Sequence, residues 1–169
     1  MKSLVRIILL LITSLLFISA RSYAAQCKVT YVFDGDTLLC RLSDISIKVR
    51  LAGIDAPETS NNKMRTGQRF GQQAKKYLAK KVLNRVVVIK GYGLDTYNRV
   101  LGELFMDGKN VNLEMIQMGL AEVYKGELPD GFELPPFIAA EKEAKEKLNG
   151  IWSLGDRYIS PSRWRRETQ

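Results

Sequence analysis

The sequence predicts one α+β domain, mainly β, and three observations predict it. Three short runs, at residues 27–33, 37–43 and 45–52, read as consecutive antiparallel strands joined by tight turns. An amphipathic helical pattern follows at 67–83. Two more strand-like runs, 85–90 and 99–105, come after it. Five strands with one helix between the third and fourth fit a small closed Greek-key barrel. No repeats and no second domain are visible, and 169 residues suffice for one domain with its own core.

Residues 1–24 stand apart from that domain. Lys2 and Arg6 form a charged start, and residues 7–18 are apolar except for Thr13 and Ser14. Ser22 and Ala24 place small residues where a signal peptidase reads. The expectation is a signal peptide cut at Ala24/Ala25, or else at Ala25/Gln26. An uncleaved anchor is the alternative, but the apolar run is short for a span. Cleavage would leave a domain over 25–169, periplasmic or secreted, with no stable membrane insertion. Losing Lys2, Arg6 and Arg21 lowers the formal charge from +8 to +5. The domain stays basic, which favours polyanions as partners. The sequence holds no histidine and two cysteines, so histidine acid/base chemistry, histidine–metal sites and cysteine-rich zinc sites are excluded.

The first two strands meet at Asp34-Gly35-Asp36-Thr37, a turn signal between apolar runs. Cys27 and Cys40 lie on these strands, and export favours a bridge between them. A simple hairpin register opposes it: Cys40 would face Tyr31, leaving Cys27 about 13 Å further along. A bulge or strong coiling would be needed, so the pairing stays open. In the third strand Ile45, Ile47, Val49 and Leu51 alternate with polar residues, turning Arg50 away from the apolar face. Pro57 ends the extended stretch. Residues 59–66 are polar and unpatterned, and Lys63 and Arg65 make this either a solvated loop or a flap touching substrate.

In the first helix Phe70, Ala74, Tyr77, Leu78 and Val82 form one stripe, with lysines mostly opposite. Gly91 and Gly93 should stop the fourth strand, and Asp107-Gly108 should turn the chain after the fifth. A short helix at 111–118 would point Leu113, Ile116 and Met118 inward, with Met115 and Met118 as core filler and Gly119 as its stop. Residues 121–124 are extended, and 126–135 form a loop rich in Gly, Pro and acid. A last helix at 136–148 starts on Pro136, and Ile151 and Trp152 dock it. The compact core covers about 27–153. Residues 157–169 carry four arginines and Trp164 without periodicity, so they form a basic tail, either frayed or set on nucleic acid.

The chemistry concentrates at 34–58. Asp36, Asp55 and Glu58 lie at strand ends, with Arg50 between them. Carboxylate oxygens suit a hard divalent cation, and an arginine fork suits a phosphate. Metal, arginine and a spare carboxylate as base are the parts for hydrolysing a phosphodiester. DGDTLLC, nine residues, then RLAGIDAPE resembles the first signature of the thermonuclease family, the staphylococcal or micrococcal nucleases. DTYNRVLGELF resembles its second, departing at Thr96 and Asn98, where the family usually has a basic residue and a glycine. GLAEVY and EKEAKEKLNGIWS resemble its C-terminal third.

The resemblance implies a five-stranded OB-fold barrel with three helices. It implies a calcium-dependent endonuclease acting on DNA and RNA, cutting the P–O5′ bond and leaving a 3′-phosphate. Asp36 and Asp55 match its side-chain calcium ligands, and Ala56 matches its backbone-carbonyl ligand. Glu58 matches the general base, and Arg50 and Arg99 the phosphate-binding arginines. Tyr97 either packs against the nucleotide or is a core tyrosine. Tyr124 and Lys63 are further candidates for substrate contact. Asp34 either shapes the turn or lies just behind the metal, and Thr37 bonds near the metal water. The expected state is a monomer. A non-catalytic nucleic-acid-binding OB module is the competing function, and retention of the carboxylates and both arginines argues for the enzyme.

Overall fold

The computed structural model describes residues 24–60 and 67–168. The strands are β1 (Ala24–Val32), β2 (Thr37–Leu42), β3 (Ile45–Leu51), β4 (Ile54–Asp55), β5 (Val86–Leu94), β6 (Val100–Met106), β7 (Lys109–Asn110) and β8 (Glu122–Val123). The helices are α1 (Gly71–Val82), α2 (Val111–Gln117), α3 (Pro135–Glu146) and α4 (Pro161–Thr168), with a 3₁₀ helix at Gly150–Arg157 before α4.

Strands run in the order β3-β2-β1-β5-β6, and parallel pairing of Val49–Leu51 with Val100–Gly102 joins β3 to β6. That pairing closes a mixed five-stranded barrel and removes its open edges. This is the expected OB-type barrel. The three expected helices are present and a fourth, α4, follows them. Alternation puts Val29, Leu38, Val49, Leu51, Ile89 and Leu104 inside. Ala74, Leu78 and Val82 of α1 join that core, with Phe70 and Tyr77 partly buried beside them. Asn112, fully buried, donates to Ala52 O and Gly102 O and accepts from Leu104 N. It thereby ties the exit of β3 to β6, with its polar capacity met inside the core.

Several expectations are corrected. Cys27 and Cys40 form a disulfide. The turn sets Phe33, not Asp34, against Thr37, which shifts the register by one residue, and a bulge between Val29 and Tyr31 shifts it by one more, so that Cys40 faces Val29 rather than Tyr31. The two Cα atoms then lie 5.6 Å apart, within bridging range. Gly91 does not stop β5: it pairs with Gly102, and the irregularity falls between Gly91 and Leu94. α1 begins at Gly71 rather than 67, because Phe70 adopts a left-handed conformation (φ 70°). Met118 is 45% exposed, so only Met115 is core filler; α2 ends at Gln117, before it can turn Met118 inward. Ile45, at the tip of β3, is exposed.

The expected tail is not frayed, since residues 161–168 are helical. Ser160 and Pro161 are the start signal: the Ser160 hydroxyl accepts from Arg163 N. The expected signal peptide, residues 1–24, lies outside the described residues except for Ala24, which opens β1 opposite Lys90. Lys63 also lies outside them. Among the described residues no helix is long and apolar enough to cross a membrane.

Candidate active site

The β1–β2 turn and the β3–β4 bend are brought together by close backbone approach. A Cβ on Gly35 would meet the Cβ atoms of Ala56 and Ala74 at 2.6 and 2.7 Å. Gly35 therefore serves close packing of the turn onto β4 and α1, beyond the hairpin that the sequence suggests. Asp34 Oδ1 accepts from Asp36 N, and Leu51 N donates to Asp36 O. Asp34 thus shapes the turn. Burial, and then the Asp36 carboxylate beside it, push its carboxyl up to about 7.

Asp36 is 7% exposed and Asp55 2%. Asp36 Oδ2 accepts from Ala56 N at 2.8 Å, and Oδ1 accepts from the Thr37 hydroxyl at 2.9 Å. Arg50 bridges the two acids, its Nη1 3.3 Å from Asp36 Oδ2 and its Nη2 3.3 Å from Asp55 Oδ1. It also donates to Leu51 O. Burial lifts Asp55 above its ordinary value, and hydrogen bonds from Arg165 pull it back. β8 fixes Asp55 through its pairing with Glu122.

Glu58 follows Pro57, with its side chain 36% exposed. Its backbone is clamped: Glu58 N donates to Gln68 Oε1, and Gln68 N donates to Glu58 O. A Cβ on Gly71 would sit 2.2 Å from Glu58 O, so only glycine lets α1 start there.

Arg99 sits at the end of the β5–β6 turn. Asp95 Oδ2 accepts from its Nε at 2.7 Å and lies 2.6 Å from Nη2. The ring of Tyr97 is 5.3 Å from its guanidinium carbon. Tyr97 is 78% exposed, which removes the core-tyrosine reading. Asn98 has φ 57°, a left-handed conformation that asparagine tolerates among non-glycine residues, so that departure keeps the turn.

Arg50, Glu58, Arg99, Tyr97 and Tyr124 line one open cleft of about 1020 Å³ with Asp36 and Ala56. Asp55 does not line the cleft itself but is tied to it through Arg50, so the candidates among the described residues come together at one place. The structure adds Arg165, which the sequence reading passed over. Arg165 Nη1 donates to Asp55 Oδ1 (3.1 Å) and Glu58 Oε1 (2.7 Å), and Nη2 donates to Asp55 Oδ2 (2.8 Å). Burial disfavours its charge, but these bonds outweigh that and hold it above its ordinary value. Within the sequence, the only hint was the Ser-Pro helix start four residues before it.

The donor set fits a hard divalent cation, because Asp36 and Asp55 offer only oxygen. Among the described residues no three His, Cys, Asp or Glu side chains converge as a ready cage. A cation here would therefore need carbonyl and water oxygens as well; Ala56 follows Asp55 in the chain and its N–H donates to Asp36 Oδ2.

The model of the staphylococcal nuclease homologue family matches residues 48–154. An uncharacterized endonuclease of Haemophilus influenzae is 39% identical, over 94% of this chain and 85% of its own length. Protein ParB of Escherichia coli is 32% identical, over 83% and 79%. Endonuclease Htp3 of Saprolegnia parasitica is 33% identical, over 82% and 74%.

Proposed function

The chain belongs to the staphylococcal nuclease homologue family, and from that premise we infer that it is an exported endonuclease that hydrolyses phosphodiester bonds of DNA and RNA with calcium. One observation carries the reading. Two nearly buried carboxylates are bridged by one guanidinium, next to a third carboxylate that reaches solvent, in a cleft a strand can enter. A purely binding module has no use for buried acids facing a polyanion.

Each residue has a task. Asp36, Asp55 and the Ala56 carbonyl would hold the calcium, which when bound supplies positive charge to the non-bridging phosphate oxygens. Thr37 and Ala56 N fix the Asp36 carboxylate. Glu58 accepts the proton of the attacking water: the water oxygen bonds to phosphorus, the P–O5′ bond breaks with its electron pair on O5′, which takes a proton from solvent to become the 5′-hydroxyl, and a 3′-phosphate remains. Its clamped backbone and exposed carboxylate suit a base that must meet water. Arg50 and Arg99 offset charge growing on the phosphoryl oxygens. Tyr97 and Tyr124 offer ring surface to a base. The protein works as a monomer in the periplasm or outside the cell. The charged, then apolar, N-terminus supports that address, and so does the Cys27–Cys40 disulfide.

Digestion of plasmid DNA and of RNA by the purified protein tests this reading. Calcium should support cleavage better than magnesium, and excess chelator should stop it. Full activity in chelator, or equal turnover with magnesium alone, overturns the calcium assignment. Mass spectrometry from an exporting host should find the N-terminus at Ala25 or Gln26, and an intact Met1 on functional protein overturns the cleavage site.

A further inference from the structure

Arg165 is held where it is by the same contacts that place the acids it touches. Tyr158 donates to the buried Glu122 at 2.6 Å, and Glu122 pairs with Asp55 across β8 and β4. Gln68 donates to Ile159 O at 3.0 Å while accepting from Glu58 N. The approach to α4 is therefore tied to both Asp55 and Glu58. Of α4 itself only Pro161 is buried, and Arg163 and Arg166 point to solvent. Among the described residues, the hydrogen bonds from α4 to the site run through Arg165.

That side chain takes both oxygens of Asp55 and one of Glu58, leaving Glu58 Oε2 for water. Its charge matters too. Asp36, Asp55 and Glu58 against Arg50 alone would cancel a divalent cation. Arg165 adds one positive charge to that balance, which favours the approach of a singly charged phosphodiester. The guanidinium would also share Asp55 with the cation and so would weaken cation binding.

We propose that Arg165 is a third arginine of the active centre, a positioning residue that orients Asp55 and Glu58 and tunes the site toward phosphate at the expense of cation affinity. The proposal rests on the endonuclease reading above. A guanidinium that only plugged the site would have the opposite effect on rate.

The test compares Arg165→Gln, Arg165→Lys and, as a charge-matched control, Arg166→Gln. Calcium affinity is measured by calorimetry without nucleic acid, and kcat and KM at saturating calcium, with thermal melts alongside. Arg165→Gln should bind calcium several-fold more tightly yet lose about 10- to 100-fold in kcat. Arg165→Lys should return calcium affinity toward wild type, because charge is restored. It should recover little of kcat, because an ammonium lacks the fork. Arg166→Gln should match wild type in both.

Unchanged calcium affinity in Arg165→Gln overturns the proposal, since Arg165 would not be on Asp55 in solution. A raised kcat overturns it in favour of a plug, and an equal loss in Arg166→Gln overturns it in favour of net charge. A wild-type protein that cuts no nucleic acid overturns the endonuclease reading along with it. A cutting wild type with an equally active Gln variant overturns this role alone.

Discussion

Arg50 and Arg99, paired in expectation, stand in opposite kinds of structure. Arg50 lies on β3 with its side chain 12% exposed, and its partners Asp36 and Asp55 come from the start of β2 and from β4. It is placed by barrel closure and by the approach of Gly35 to β4. Arg99 is placed by its own turn: Asp95, four residues back, takes its side chain and its backbone N–H, and Tyr97 lies against it. The floor of the cleft is thus a non-local product of the fold, and the rim a local one. Buried charges on the floor depend on one another, and losing a partner leaves an unpaired charge. The ion pair on the rim is screened by solvent.

The largest expected effect probes the floor's chemistry apart from its stability. Glu58→Gln keeps shape and should lower kcat by about 10² to 10⁴, with calcium affinity and melting temperature little changed. Near wild-type cleavage would remove Glu58 as base and make Asp34 the next candidate. A lost calcium site would make Glu58 a ligand. A matched pair then tests the comparison directly. Arg50→Gln should cost on the order of 3 kcal/mol of stability without calcium, in denaturant melts, and calcium should restore part of it. Arg99→Gln should cost under about 1 kcal/mol while kcat/KM falls about 10²-fold. Equal stability losses would break the distinction between floor and rim.

Gly35→Ala sharpens it from the backbone side. The added methyl meets Ala56 and Ala74, so about 1–3 kcal/mol should be lost in melts, with weaker calcium binding. An unaffected melt would show that the floor gives way easily. The smallest effect is on the rim. Burial works against the Asp95 carboxylate, but Arg99 and the backbone N–H groups of Arg99 and Tyr97 outweigh it, lowering its value. A carboxylate lowered on folding contributes stability above its unfolded value and loses it as pH falls through the folded one. The turn should therefore stay intact above about pH 4 and loosen only below. Amide NMR shifts of Tyr97 and Arg99 should report this while those of Val49 and Leu51 stay still. Loosening near neutral pH would show that Asp95 does not hold Arg99.

What rests on local pattern was legible from the residues alone. Alternation in β3 turned Arg50 to the other face from Val49 and Leu51, because strand side chains alternate whatever the partner strand. The turn at Asp34–Thr37, the stripe of α1 and the stop at Gly119 follow from equally short-range rules. So do the candidate acids, whose residue types and spacing were legible before any fold. Whatever depends on the distance between remote residues was settled by the folded barrel. The turn register and a one-residue bulge together set whether Cys27 could reach Cys40, and no spacing rule counts bulges. Gly35 became a contact between β4 and α1 rather than a turn residue alone. Arg165 lies 107 residues from Glu58, and its helix has no apolar stripe to announce it. Local pattern is written in neighbours along the chain, whereas the charge balance of a site depends on whichever side chains the closed barrel brings within hydrogen-bonding distance.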